Sequence, residues 1–311
     1  MSEGYCLVVD SACDLPPEFM KKHGIEILPI SVRFGDTLFV DNRDPDTTMG
    51  LYRGGVLSTK GIDAETVPYS TRQITELFEE RIAPNYEGAQ VITISSTRSL
   101  IFENARQAAF VNLPRIRTAR QKVGKEPHFT LRVMDSRTLF TGQGVMLWEA
   151  VRLLEKEKLA LSRLSTPLEQ LRDNIYAYLI PDDLHFVRNR GKKKGDKSVS
   201  WLSYRVGSTL NIKPVICAHR GETKVTIKAS GFNNAVDKLL NHTADKIKQG
   251  LRVPVVVMSY AGDLAEIQSH PTMQKFEKFA RKFDIETVFS VMSTTAAINV
   301  GAGAFSLAYA A

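Results

Sequence analysis

The chain has 311 residues, of which 43% are hydrophobic and 24% are charged, and its formal net charge at pH 7 is +7. This length and balance are typical of a globular protein with two domains or one large α/β domain. The first residues lack the basic and apolar regions of a signal peptide, and no apolar run is long enough to cross a membrane, so the sequence predicts a cytoplasmic protein.

Strand-like apolar runs alternate with helical patterns through the first part of the chain. The sequence predicts strands at 5–9 and 25–34, with a helix at 15–23 between them. Residues 41–68 are rich in Asp, Thr, Gly and Ser, and we expect a long functional or mobile loop there with one short helix around 49–52. An amphipathic helix is predicted at 70–82.

The central predicted strand, 91–94, runs into a cluster of hydroxyl residues and then into a helical pattern that ends near residue 112. The hydroxyl residues are Ser95, Ser96, Thr97 and Ser99. Because a helix N-terminus carries partial positive charge and unpaired N–H groups, this junction can bind a carboxylate or a phosphate. In the alternative interpretation the serines only cap the helix, since Ser96 and Ser99 are both suitable N-cap residues.

The remaining elements continue the alternation. We expect a loop at the basic segment 115–125, a strand at 130–134 and a helix at 142–155. The later predicted elements are helices at 166–174, 198–209, 234–249 and 264–283, strands at 175–180, 253–260 and 287–292, a hairpin of 213–218 with 223–228, and a last strand or helix at 304–310. The sequence therefore predicts an α/β fold of two domains, 1–165 and 166–311, each with a parallel or mixed sheet covered on both faces.

Motifs that mark nucleotide, metal or hydrolase sites are missing from the sequence. Gly191-Lys-Lys-Lys-Gly195 is one residue short of a P-loop, and Gly142-Gln-Gly144 lacks the third glycine of a dinucleotide-binding fingerprint. The histidines have no paired metal spacing, and Cys6, Cys13 and Cys217 are expected to be reduced thiols. We therefore expect no cofactor, no metal and no catalytic residue.

Much of the positive charge lies in two basic segments, 115–125 and 188–197, which fall between periodic patterns and are expected to be solvated loops. Neither segment interleaves aromatic residues with its basic residues, as single-stranded nucleic acid binding would favour. We expect no specific nucleic acid partner. Docking of a partner protein and transient contact with an anionic membrane are both compatible with these segments.

Hydroxyl residues recur where predicted strands end, at Asp10-Ser11, Thr66, 95–99 and Asp135-Ser136. In open parallel sheets, ligands bind at the carboxyl ends of the strands. Neutral hydroxyls beside a helix N-terminus suit an anion that is bound and not attacked. This pattern indicates a binding protein.

Several short segments along nearly the whole chain form a second pattern. They are Val8-Val-Asp-Ser-Ala-Cys-Asp-Leu-Pro16, Ile27-Leu-Pro-Ile30, Ile94-Ser-Ser-Thr-Arg-Ser99, Val133-Met-Asp-Ser136, Gly142-Gln-Gly144 and Leu210-Asn-Ile-Lys-Pro-Val-Ile216. Together, and in this order, they resemble the DegV-type fatty-acid-binding proteins.

The resemblance implies two α/β domains with a long-chain fatty acid held in a slot between them. It also implies that the protein is not an enzyme by itself but the lipid-carrying subunit of bacterial fatty acid kinase, which presents the carboxylate to a separate ATP-binding subunit that makes the acyl-phosphate. The head-group residues by this resemblance are Thr66, Ser95, Ser96, Ser99 and Asn299. We expect apolar walls from 28–34 and 210–216.

Some positions depart from the family's pattern. Leu100 follows Ser99 where the family has glycine, Asn299 stands where it has a head-group histidine, and Ser230 stands where arginine is usual. Changes at these positions affect the expected kinase partnership more than they affect the expected fold and lipid slot. Two alternatives stay open, which are an enzyme acting on a small anion or ester with Ser96 or Ser99 as nucleophile, and a basic adaptor that uses the two basic segments.

Overall fold

A computed structural model describes residues 4–58, 64–111, 113–187 and 212–311. The strands are β1 (Tyr5–Asp10), β2 (Glu26–Leu28), β3 (Ile30–Phe34), β4 (Thr37–Asp41), β5 (Ala64–Pro68), β6 (Gly88–Thr93), β7 (Thr130–Asp135), β8 (Ile175–Ile180), β9 (Ile212–His219), β10 (Glu222–Ser230), β11 (Val255–Tyr260), β12 (Glu286–Val291) and β13 (Phe305–Ala310). The α-helices are α1 (Pro17–Lys22), α2 (Pro45–Arg53), α3 (Thr71–Leu77), α4 (Ile101–Val111), α5 (Leu113–Lys122), α6 (Thr141–Glu155), α7 (Leu161–Arg172), α8 (Phe232–Gln249), α9 (Leu264–Gln268), α10 (Pro271–Arg281) and α11 (Thr294–Val300). The basic segment 188–197 and the helix predicted at 198–209 lie outside the described residues.

The first sheet is parallel, with strand order β2-β1-β6-β7. Its central strands β1 and β6 are buried along nearly their whole length, as their continuous apolar runs require for strands covered on both faces. Because all strands run the same way, Asp10, Thr93 and Asp135 end their strands at one edge of the sheet. The segments that follow these residues are therefore neighbours.

The second sheet has strand order β10-β9-β8-β13-β11-β12 and is mixed, since only β11 and β12 run parallel. A smaller antiparallel sheet, β4-β3-β5, packs against α11. No helix of the described ranges is long and apolar enough to span a membrane.

Helix α6 lies between the two large sheets and contacts β6 on one side and β8, β11 and β13 on the other. Two glycines permit this close approach. A Cβ atom at Gly142 would lie 3.0 Å from Ala177 Cβ on β8, and one at Gly144 would lie 3.1 Å from Val257 Cγ1 on β11. These two glycines have the spacing of the first two glycines in a dinucleotide-binding fingerprint, but here they are packing residues.

Several predictions from periodicity are confirmed. The helices predicted at 142–155 and 234–249 match α6 and α8 to within two residues, and the predicted hairpin matches β9 and β10 equally well. All three elements have long periodic patterns, which are the most reliable sequence signals.

Two predicted elements were wrong because proline divides them. The strand predicted at 25–34 is split at Pro29 into β2 and β3, which belong to different sheets, since proline has no N–H for a strand ladder. The helix predicted at 264–283 is split into α9 and α10, and Pro271 begins the second.

The long loop predicted at 41–68 was only partly correct. Its one short helix, expected around 49–52, is present as α2, but residues 64–68 form β5, which pairs with β3 as an edge of the small antiparallel sheet. Thr66 therefore lies within a strand, paired with Val32, and does not end one.

The expectation that 115–125 is a solvated loop was wrong as well, because most of it forms helix α5. Ile116 and Arg120 are buried on this helix. The Arg120 guanidinium donates to the carbonyl oxygens of Ala83, at 2.9 Å, and Tyr86. A fully buried arginine that satisfies backbone carbonyls is a structural residue, so this charge does not contribute to a docking surface.

The helix predicted at 166–174 begins earlier, because α7 spans Leu161–Arg172 and includes Pro167 in its interior. Its buried face consists of Leu161, Leu164, Leu168 and Leu171, a spacing that favours one continuous helix. The division between 165 and 166 falls inside this helix and stays a prediction.

Candidate functional site

The loop that joins β6 to α4, residues 94–100 and called the serine loop below, is held by carboxylates from both neighbouring strands. Asp10, at the end of β1, accepts a hydrogen bond from the backbone N–H of Ile94 at 2.5 Å. Asp135, at the end of β7, accepts from the backbone N–H of Ser96 at 3.1 Å and from its hydroxyl at 2.5 Å. The order of the parallel strands thus positions the loop.

The Asp10 carboxyl group is fully buried. Burial raises its pKa to about 7, while hydrogen bonds from the N–H groups of Ile94 and Ala12 oppose the rise because they stabilise the charged form. This carboxyl group therefore holds the start of the serine loop from inside the protein and is not exposed to a ligand.

Ser95 is buried and tied to its surroundings through both backbone and side chain. Its N–H donates to the carbonyl oxygen of Thr138 at 3.1 Å. Its Oγ lies 3.0 Å from Thr97 Oγ1, which donates to the carbonyl oxygen of Gly221 at 3.0 Å. Since Thr97 uses its hydrogen on Gly221, the Ser95 hydroxyl donates to Thr97, and the loop is joined to the turn between β9 and β10.

Ser99 is half-buried and lies just before α4. Its Oγ accepts from the N–H of Ile101, the first residue of the helix, at 3.3 Å, so Ser99 caps this helix from the position before its N-cap residue. Within the described residues the hydrogen of its hydroxyl has no acceptor. Ser99 therefore combines the capping role with a free donor, in contrast to Ser96, whose hydrogen is given to Asp135.

Asn299 is half-buried on α11, and its Nδ2 donates to the carbonyl oxygen of Thr295 at 2.7 Å. Helix α11 packs against β5, the strand of Thr66, and Asn104 at the start of α4 donates to the carbonyl oxygen of Tyr69 just after that strand. These contacts make the elements that carry Thr66, Ser99 and Asn299 neighbours. Among the described residues no hydrogen bond joins the side chains of Ser96 or Ser99 to Asn299.

The sequence interpretation missed a buried network at the start of α11. Asp41 accepts from the N–H and the hydroxyl of Thr295 at 2.8 and 2.7 Å, and Asp14 accepts from the N–H of Ser293 at 3.0 Å. The Arg43 guanidinium lies 3.5 Å from Asp14; burial raises the pKa of Asp14, and the guanidinium opposes this rise. Two carboxylates from the first part of the chain thus hold the positive end of α11 in place.

The other hydroxyls expected at strand ends are structural. Ser11 donates to the carbonyl oxygen of Asp41 and accepts from the N–H of Ile30 at 2.9 Å. Ser136 accepts from the N–H of Thr138 at 3.3 Å. Both serines are fully buried and saturate nearby backbone groups.

An apolar cluster lies beside the serine loop and draws residues from all three sheets. It contains Leu28, Ile30, Val32, Ile94, Leu179, Ile216, Met292 and Ala296 among others. The predicted wall segment 28–34 and Ile216 therefore belong to one cluster, while residues 210 and 211 lie outside the described ranges.

Comparison with known proteins decides the family. The model of the DegV family, described as "Uncharacterised protein, DegV family", matches residues 6–311. The chain belongs to the DegV family. A DegV domain-containing protein of Xanthomonas axonopodis pv. citri is 41% identical over 305 residues, which are 98% of this chain and 96% of that protein. The resemblance to the DegV family that the sequence motifs indicated is confirmed.

Solved DegV-type structures match over nearly the whole chain. A stearic acid-binding protein from Eubacterium ventriosum superposes with a TM-score of 0.76 at 19% identity, covering 98% of each chain. DegV, a fatty acid binding protein from Bacillus subtilis, superposes with a TM-score of 0.76 at 18% identity, covering 99% of each chain. These likenesses confirm the predicted α/β fold with its two-domain layout.

Proposed function

We propose that this DegV-family protein binds a long-chain fatty acid between its two α/β domains, with the carboxylate near Thr66, Ser95, Ser96, Ser99 and Asn299. The observation that carries the proposal is the whole-length likeness to structures whose names state fatty acid binding. The apolar cluster beside the serine loop is consistent with the proposal, because it places apolar side chains from several sheets next to that loop.

Burial of the acyl chain supplies most of the binding energy. Each buried methylene contributes roughly 0.8 kcal/mol, so a C16 chain gains on the order of 10 kcal/mol before ordering costs. The head group then needs only to be oriented. The free hydrogen of the Ser99 hydroxyl and the second N–H of the Asn299 amide are suitable donors for a carboxylate oxygen.

Native mass spectrometry of freshly purified protein tests the proposal. We expect a co-purified mass that matches a long-chain fatty acid and that disappears after delipidation and returns on adding the acid. A protein that purifies empty, does not take up the acid and hydrolyses small esters would contradict lipid binding and favour the alternative of a serine nucleophile.

We also propose that the bound acid is presented to a separate ATP-binding kinase subunit for acyl-phosphate formation. A loop that binds one carboxylate oxygen through hydroxyl donors leaves the other oxygen available for phosphorylation elsewhere. Loaded protein, ATP and such a subunit should produce acyl-phosphate, trapped as a hydroxamate. A subunit that is active with another DegV-family protein but inactive with this one would refute the partnership and leave fatty acid binding untouched.

An acidic surface on that subunit is proposed to dock on α5. Arg115, Arg117 and Lys122 are exposed there, although Arg115 already pairs with Glu79 at 2.6 Å. Association should weaken as salt rises, because screening shortens the Debye length to about 8 Å at 0.15 M. Binding to anionic vesicles with the same salt dependence and no partner would indicate a membrane contact instead.

A further inference from the structure

A pocket of about 260 Å³ opens on the outer face of the six-stranded sheet, beneath helix α8. Its lining includes Tyr176, Tyr178, Lys224, His242, Lys246 and Tyr309. Alternation along β9 separates it from the proposed lipid site, because Cys217 faces α8 while its neighbour Ile216 packs in the cluster beside the serine loop. The pocket is therefore a distinct feature of the opposite face.

The pocket arises from an irregularity in β10. The pairing of β10 with β9 shifts between Val225 and Ile227, which leaves Thr226 without a paired residue. A bulge of this kind bends an edge strand away from its neighbours. On the other wall, His242 and Lys246 are one helical turn apart on α8 and face the space that the bulge opens.

The floor of the pocket consists of neutral hydrogen-bonding groups. The Tyr178 and Tyr309 hydroxyls lie 3.0 Å apart, and each lies 3.2 Å from His242 Nε2. Burial raises the pKa of both tyrosines, and burial together with the charge of Lys246 lowers the pKa of His242. Burial also raises the pKa of the Cys217 thiol to about 11. At neutral pH this floor carries no negative charge.

The walls of the pocket are cationic. Lys224 and Lys246 both line it, and among the residues that the structure describes no Asp or Glu side chain does. Within the described ranges neither lysine has an ion-pair partner; Lys246 Nζ donates only to Gln249 Oε1 at 3.1 Å. The nearby carboxylate of Asp245 is paired with Lys248 at 3.0 Å. Two lysines are therefore left without compensation around one concave surface.

An aromatic surface completes the pocket. The ring of Tyr176 stacks on His219 with the centroids 4.1 Å apart and an interplanar angle of 5°, so its orientation is held. A held ring offers an apolar contact to a few carbon atoms beside the cationic end. This combination of an oriented apolar wall and a few convergent polar groups is typical of small-molecule sites.

We propose that this pocket binds a small phosphate-bearing anion, with the phosphoryl group between Lys224 and Lys246 and any short organic group against Tyr176. A phosphoryl group near pH 7 carries close to two negative charges and has three acceptor oxygens, which matches two lysines and their ammonium donors. A carboxylate has one charge and would leave one lysine unbalanced. Free phosphate and small phosphate monoesters share this chemistry.

Isothermal titration of the whole protein with inorganic phosphate, ethyl phosphate and acetate tests the site. We expect both phosphates to bind and acetate to bind at least tenfold more weakly. Tighter binding of ethyl phosphate would identify an ester as the source of the ligand, and equal binding would identify free phosphate. No saturable phosphate binding would overturn the proposal.

Matched variants locate the binding. Lys224→Met and Lys246→Met should each weaken phosphate binding at least tenfold. Lys238→Met, which changes an exposed lysine on α8 outside the pocket, should leave phosphate binding unchanged. Circular dichroism and the melting temperature establish that each variant is folded. Phosphate binding that is equally strong in all three variants, or equally weak in all three, would refute this assignment.

The imidazole of His242 provides an independent readout. A dianion between the lysines should raise its apparent pKa, because the anion offsets the charge of Lys246. The proton resonance of His242, identified with His242→Gln, should then titrate at higher pH when phosphate is present. An unchanged titration at saturating phosphate would place the ion elsewhere and overturn the proposal. Fatty acid occupancy measured on the same samples keeps this result separate from the lipid site.

Discussion

Replacing Ser99 with alanine is expected to weaken fatty acid binding and to lower stability by different amounts for different reasons. Its hydroxyl accepts from the N–H of Ile101 and keeps a hydrogen that has no acceptor within the described residues. The first contact supports α4, and the second is available to a carboxylate. One substitution therefore removes two contacts that can be measured separately.

The two magnitudes follow from the partners. Loss of a hydrogen bond to a charged acceptor costs roughly 1.5–3 kcal/mol, which is about a 10- to 150-fold rise in Kd for the acid. Loss of the hydrogen bond from the Ile101 N–H costs about 1 kcal/mol of the free energy of unfolding. Because lipid-free protein does not make the hydrogen bond to the fatty acid, urea unfolding of the delipidated variant should report only the loss of the hydrogen bond at the start of α4.

Ser99→Thr and Ser96→Ala are the controls. Threonine keeps both the donor and the cap, so its Kd should stay within a few-fold of the original. Ser96→Ala removes a hydroxyl whose hydrogen is already given to Asp135, so it should weaken acid binding less than Ser99→Ala. Displacement of a fluorescent fatty acid measures all three variants. If Ser96→Ala proves the more damaging, the assignment of the donor to Ser99 is wrong.

Three further outcomes are expected. Thr295→Val should lower the free energy of unfolding by roughly 1.5–3 kcal/mol, because it removes a buried donor to the Asp41 carboxylate. Thr294→Val should be close to neutral, since that hydroxyl is buried without a partner in the described ranges, and equal losses for the two variants in urea unfolding would contradict the network. The free energy of unfolding should fall as pH rises from about 4 to about 7, because burial raises the pKa of Asp10 to about 7 and the folded state therefore binds a proton that the unfolded state has released. An Asp10→Asn variant whose free energy of unfolding falls with pH at the same slope would refute this cause. Gly142→Ala should cost about 1–3 kcal/mol, since its Cβ would come within 2.1 Å of a neighbouring threonine hydroxyl, and a melting temperature equal to that of the original protein would show that α6 can shift.

The sequence by itself determined the elements that depend on local patterns. The apolar runs of β1 and β6 indicate strands buried on both faces, and the periodicity at 234–249 indicates α8, because burial of an apolar face is encoded at the period of the element. The hydroxyl-rich stretch after β6 was also visible as a candidate site. Its motifs, together with others in the same order, were sufficient to predict the DegV family.

Tertiary structure alone decided which of those hydroxyls remain available. Ser96 and Ser99 look equivalent in the sequence, but the order of the parallel strands places Asp135 beside Ser96 and leaves Ser99 to cap α4. Likewise Asp41 and Thr295 are 254 positions apart, so their pairing exists only once the small sheet has packed against α11. Hydrogen-bond partners distant in sequence leave no periodic signal, because each is specified by the packing of whole elements and not by its neighbours in the chain.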